Sequence, residues 1–126
     1  MSKTVVITDD APMPIGPYSQ AIKYKDLVFV SGQIGMEPKS GELVEGGAKE
    51  ETKQIFENIK AVLQAADSSL EKILKATVYV RSMDFFSVVN EVFNEYLKGD
   101  HPARETVEVC RLPKDADLEI SVIASV

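Results

Sequence analysis

Pro102-Ala103-Arg104-Glu105-Thr106-Val107-Glu108-Val109-Cys110-Arg111-Leu112-Pro113-Lys114-Asp115-Ala116-Asp117-Leu118-Glu119-Ile120-Ser121-Val122-Ile123-Ala124 contains two strand-like patterns on either side of a turn at Pro113-Lys114-Asp115. Val, Ile and Thr alternate there with polar residues, the period of a strand with one buried face. In the first strand Ala103, Glu105, Val107 and Val109 point one way, and Arg104, Thr106, Glu108 and Cys110 the other. In the second, Leu118, Ile120, Val122 and Ala124 oppose Glu119, Ser121 and Ile123. Arg104 and Glu119 therefore each set a charge inside a strand. By spacing alone such a charge is an ordinary solvated position on an open antiparallel face, so a chemical role needs further grounds.

Upstream of this pair, Lys3 to Ile7 is short, apolar and β-branched, as in an edge strand. Asp9 to Pro17 holds three prolines and a glycine and is a stiff loop delivering Tyr18 to a set place. Ser19 to Tyr24 and Leu27 to Ser31 form a hairpin around Lys25-Asp26. Leu27-Val28-Phe29-Val30 has no polar member, which predicts a central strand covered by helices or another subunit. It runs into Ser31-Gly32-Gln33-Ile34-Gly35, where glycine marks a bulge or turn. Pro38 to Gly41 is a turn, and Glu42 to Gly47 a loop.

Ala48 to Ala66 predicts a helix: Ile55, Phe56, Ile59, Val62, Leu63 and Ala66 form a core stripe, with Glu50, Glu51, Lys53, Glu57 and Lys60 on the other side. Leu74 to Arg81 alternates Leu74, Ala76, Val78 and Val80 against Lys75, Thr77, Tyr79 and Arg81. Asp84 is placed to cap a second helix with apolar positions Phe85, Val88, Val89, Val92, Phe93, Tyr96 and Leu97, and Gly99 stops it. Two helices are too few to cover both faces of six strands. The expected fold is one α+β domain over residues 1–126, a two-layer structure with a mainly antiparallel mixed sheet. Its open face, holding Thr106, Val109, Ile123 and similar residues, favours assembly.

The net charge of −6 disfavours generic binding to a polyphosphate backbone. Cys110 is the sole cysteine and His101 the sole histidine, so an internal disulfide is excluded and no zinc spacing occurs. Cys110 reads as a structural free thiol and His101 as a loop residue. Asp9-Asp10 interrupts any secretory apolar run and nothing approaches transmembrane length, which sets a cytoplasmic expectation with no membrane partner.

The motifs P-A-R, V-E-V, R-L-P-K-D and L-E-I between Pro102 and Ile120 resemble the C-terminal signature of the Rid (YjgF) family, in particular its RidA-type imine deaminases. P-x-P-I-G-P-Y-S-Q-A from Pro12 and S-G-Q from Ser31 are similar to further family segments, and R-S-M-D-F-F-x-x-V-N from Arg81 resembles the family's D-F-x-x-V-N, which aligns Phe86 with its aromatic. The resemblance runs from Ala11 to Ala124. It implies a chorismate-mutase-like fold, homotrimers around a sheet-lined centre, and sites in clefts between subunits.

It also implies hydrolysis of reactive enamines and imines such as 2-aminoacrylate, 2-iminopropanoate and 2-iminobutanoate, without metal or cofactor. Position by position, Arg104 would hold the substrate carboxylate and Glu119 the water. The Thr106 backbone N–H would be a second donor and the Gly32 carbonyl an acceptor for the imine nitrogen, with Tyr18, Ser31 and Phe86 closing the pocket. Bacterial RidA-type members often carry cysteine where this chain has Thr106, so thiol-dependent regulation there is not expected.

If the last two strands paired around their turn, Cys110 would face Glu119, and Arg104 and Glu119 would be separated by roughly 20 Å at ~3.3 Å per residue. Either those strands are not partners, or the charges meet across a subunit boundary. Two rival functions remain open: a small-carboxylate binding module without turnover, and an RNA-directed ribonuclease or translation inhibitor. The acidic balance and the lack of a basic stripe with interleaved aromatics argue against the latter.

Overall fold

The computed structural model describes residues 2–126. Its strands are β1 (Thr4–Val6), β2 (Ala21–Tyr24), β3 (Leu27–Gln33), β4 (Ile73–Val80), β5 (Ala103–Glu108) and β6 (Leu118–Ser125). Its helices are α1 (Ala48–Ala65) and α2 (Phe86–Tyr96). One six-stranded sheet runs β1-β2-β3-β6-β4-β5 and is antiparallel except for the β4–β5 pair. Parallel neighbours need a crossover, and α2 supplies it. This is the expected α+β two-layer arrangement.

The last two strands are not neighbours, because β4 lies between them. Glu119 stands opposite Tyr79 rather than Cys110, and Arg104 opposite Ala76. The connection passes over the end of β4: the Val109 N–H donates to the Val80 carbonyl at 2.9 Å, and the Arg81 N–H to the Asp117 carbonyl at 2.9 Å. A tight hairpin at Pro113 is thereby replaced by a short helical turn, Pro113–Asp115, with Lys114 at φ 56°.

One sheet face is apolar and covered. Val28, Val78, Val80, Leu118 and Ile120 pack against Ile55, Ile59 and Val62 of α1 and Val89 and Val92 of α2. Phe56 ties the helices together, with its ring 5.0 Å edge-on from Phe93 and 5.0 Å stacked on Tyr96. Removing such a side chain costs about 3–5 kcal/mol in a typical core. Gly35 sits where this layer is thinnest. A Cβ there would lie 2.8 Å from the Glu51 Cα, so only glycine lets β3's exit pass under α1.

Several local expectations are corrected. Glu51, expected outside, is 7% exposed, because its carboxylate accepts the Asp117 backbone N–H at 2.9 Å. Leu74 is 49% exposed: the β4–β6 register shifts between Ile73 and Lys75, and Ile73 takes the core place. Ser82, not Asp84, caps the approach to α2, its hydroxyl accepting the Asp84 N–H at 3.1 Å. Thr106 belongs to the helix side, opposite Val78, and not to the open face. Val109 lies just past β5 and packs with Ile34, Met36, Leu112 and Ala116. The open face does carry Ile123 beside Phe29, which is 41% exposed, so β3 is covered by helices on one side only.

Candidate functional site

The sheet is irregular where β3 meets β6. Val30 faces Val122 and Gln33 faces Ile120, so Ser31 and Gly32 together oppose Ser121 alone, a bulge. The bulge turns Gly32 under the side chain of Glu119: a Cβ on Gly32 would overlap the Glu119 carboxylate, with its Cδ only 2.7 Å away. Glycine is therefore what leaves room for the acid.

The proline-rich loop closes over this point. Buried Gln20 gathers it, with Nε2 donating to the carbonyls of Thr8 (3.0 Å), Ala11 (3.2 Å) and Pro12 (2.9 Å), and Oε1 accepting the Thr8 N–H (2.8 Å). Ser31 fastens the loop to β3: its hydroxyl donates to the Ser19 carbonyl at 2.6 Å and its N–H to the Gln20 carbonyl at 3.0 Å. Tyr18 projects 48% exposed, its hydroxyl accepting the Ile15 N–H at 3.2 Å. Tyr18, Ser31, Gly32 and Glu119 thus line one cleft of about 500 Å³, with Met13 and Pro113 on its apolar rim. Glu119 is half-buried and has no hydrogen-bond or ion-pair partner among the described residues. Burial pushes its carboxyl above the ordinary value of 4.5.

Arg104 lies elsewhere. Opposite Ala76, it points to the helix side of the sheet, whereas Glu119, opposite Tyr79, points to the open side. Arg104 and Glu119 are three residues apart along β4 and on strands flanking it, roughly 10 Å in each direction, and face opposite ways. The Arg104 guanidinium lies over the Phe93 ring, 4.7 Å from its centroid, and 5.4 Å from that of Phe86. Its Nη2 donates to Asn90 Oδ1 at 2.7 Å. A second cleft of about 330 Å³ opens here, lined by Asn90, Phe93, Asn94, His101, Pro102 and Arg104. No carboxylate lines it, and Arg104 has no acid partner among the described residues. Burial lowers the guanidinium's pKa from its ordinary value.

Thr106 lines neither cleft, and its Oγ1 is buried without a partner among the described residues. Backbone N–H groups alternate in direction along a strand; since that of Val109 is turned toward β4, that of Thr106 points to the outer edge of β5, which no strand covers. The expected residues therefore divide into two groups: Tyr18, Ser31, Gly32 and Glu119 in one cleft, and Arg104 with Phe86 in the other region. Gln20, Asn90 and Phe93 are the residues the sequence reading passed over. Gln20 and Asn90 end the Y-S-Q and V-N strings, so the signal was their presence in motifs rather than any pattern of charge. His101, read as a plain loop residue, lines the Arg104 cleft. Chemically, one half offers a cation for an anionic group and the other a desolvated acid for moving protons.

With this geometry in hand, comparisons with known proteins are informative. The family model described as Endoribonuclease L-PSP matches residues 8–126. A RutC family protein of Pyrococcus horikoshii is 52% identical over 122 residues, covering 97% of each chain. The human 2-iminobutanoate/2-iminopropanoate deaminase is 42% identical over 122 residues, 97% of this chain and 89% of that protein. The crystal structure of Escherichia coli TdcF with bound serine superposes with a TM-score of 0.91 at 38% identity, covering 98% of each chain. The motifs, the six-stranded sheet with its one helical layer, and these matches over nearly the full length agree: the chain belongs to the Rid (YjgF) family, the family of the Endoribonuclease L-PSP model.

Proposed function

We propose that the protein hydrolyses short 2-imino acids, and the 2-amino enoates that tautomerise to them, to 2-oxo acids and ammonia. The observation that carries this reading is the pair of unpartnered charges: a cation in an acid-free cleft and an acid in a cleft without a cation, on opposite faces of one sheet. Neither half serves a carboxylate-bearing imine alone. Two copies of the chain, meeting so that the Arg104 half of one adjoins the Glu119 half of the next, form a complete site. The exposed Phe29 and Val107 on the open face supply apolar surface for a closed assembly, and a homotrimer fits the family resemblance.

In that site Arg104 holds the substrate carboxylate through parallel hydrogen bonds, and the outward Thr106 N–H adds a donor. The Gly32 carbonyl orients the imine nitrogen, and Tyr18, Ser31 and Phe86 close the pocket. Glu119 takes a proton from water as its oxygen adds to the imine carbon. That proton passes to the imine nitrogen to complete the carbinolamine. Glu119 then takes the carbinolamine's hydroxyl proton and delivers it to nitrogen as the C–N bond breaks, so that ammonia departs and the carbonyl of the 2-oxo acid forms. Such imines also hydrolyse in water, so placement and modest acid–base help account for the task. Relatives named as deaminases support the reading. The net charge of −6 weighs against an RNA substrate, despite the family model's description.

The test is 2-aminoacrylate generated in place by a serine dehydratase. Wild type is expected to accelerate keto-acid formation, while Arg104→Ala and Glu119→Gln each fall to background. Unfolding and refolding the two variants together should regenerate complete sites at some interfaces and restore part of the rate. No acceleration by wild type would leave a binding site without turnover, and no rescue by mixing would sink the shared site.

A further inference from the structure

Arg104 is held by a single stretch of α2. Phe86, Asn90 and Phe93 stand at i, i+4 and i+7, so they form one stripe on one side of the helix, and all three meet the guanidinium. The two rings cover the cation without neutralising it. Asn90 fixes its orientation with one hydrogen bond to Nη2 at 2.7 Å. A half-buried arginine such as Arg104 could be held by a carboxylate, which makes a stronger bond and cancels the charge. Here the acceptor at that place is an uncharged amide, and the neighbouring cleft has no acid.

We infer that Asn90 is a positioning residue that sets Arg104 through a neutral acceptor, so that no carboxylate among the described residues of its own chain competes with the substrate's for the guanidinium. This rests on the reading of Arg104 as the carboxylate anchor. An aspartate in the same place would keep the geometry and defeat the purpose, since its fixed negative charge would compete with the substrate for one cation. The site is thereby selective for anions over neutral analogues of the same shape. The remaining guanidinium donors stay available for a planar two-oxygen group.

The experiment compares binding of 2-oxobutanoate and its neutral amide, 2-oxobutanamide, by calorimetry to wild type, Asn90→Asp and Asn90→Leu, with turnover measured in parallel. Wild type should prefer the carboxylate on the order of ten- to hundredfold, as charged hydrogen bonds do. In Asn90→Asp that preference should collapse toward unity, with KM rising and kcat changing little. Asn90→Leu, which removes the acceptor without adding charge, should weaken carboxylate binding yet keep the preference. A wild-type preference retained in full by Asn90→Asp overturns the neutral-acceptor role, and unchanged affinity in Asn90→Leu overturns positioning. If wild type itself shows no preference, Arg104 is not the anchor and the functional reading falls with the inference.

Discussion

Glu119 and Gly32 show how one residue's identity depends on another far away in sequence. The acid sits desolvated above the β3 bulge because glycine leaves the space, and its carboxyl is raised by that burial. The proposed base Glu119 must be ionised to act, so the acid limb of kcat/KM is expected above pH 4.5, with activity lost as pH falls through it. Gly32→Ala should displace the carboxylate: kcat/KM falls at least tenfold while Tm stays within a few degrees of wild type, because the displaced atoms are the end of a flexible side chain. Unaltered turnover in Gly32→Ala would show that the carboxylate's position is immaterial. Arg104 and Glu119 stood out in the sequence through the P-A-R and L-E-I motifs, since by strand position alone each reads as an ordinary solvated charge. Asn90 did not: reading a helical stripe counts apolar residues, and a polar one within it reads as an interruption. Why Gly32 is glycine was hidden too, since it depends on a strand eighty-odd residues later in the chain.

At the scale of elements, α1 meets the β6 entry through Glu51. Its carboxylate receives the Asp117 N–H, Asp117 pairs with Arg81 at 2.5 Å, and Gly35 lets the backbones approach. Burial first, and the nearby Asp117 charge, raise Glu51 from 4.5 to about 7. The folded protein thus holds this proton more tightly than the unfolded chain, so its contribution to stability is present below pH 4.5 and lost as pH rises toward about 7. Glu51→Gln keeps an oxygen for the Asp117 N–H and removes the titration. Urea unfolding across that range should show a stability decline in wild type that is flatter in the variant, and parallel slopes would dismiss Glu51 as its source. Element identities were legible where periodicity is local: α1, the β2–β3 hairpin and the α2 stripe follow from spacing alone. Glu51's burial was not, because a charged residue one turn from a core stripe looks outward until a backbone donor from another element meets it.

For the whole molecule, strand order was the part the sequence withheld. β5 and β6 are successive and joined by a turn, which suggests a hairpin, yet the α2 crossover places β5 on the far side of β4. That insertion puts the two charges on opposite faces, and on the proposed function each chain then holds half of a site shared with a second copy. On that proposal the exposed Phe29 of the open face serves as a contact between copies. If the proposed assembly and activity hold, Phe29→Glu should lower the sedimenting mass and abolish 2-aminoacrylate turnover together, while circular dichroism still reports a folded chain; a full-size, active assembly would place the interface elsewhere.

The Gln20 clasp also bears on time. A single amide serves four backbone groups between Thr8 and Pro12, so these bonds share one fate: while it stays docked the rim of the acid cleft is rigid, and when it leaves all are lost together. Such a segment opens as a unit, not residue by residue. The Thr8 amide, bonded to the same side chain, therefore keeps a clock for the cleft, and its hydrogen exchange records how often the doorway to Glu119 stands ajar.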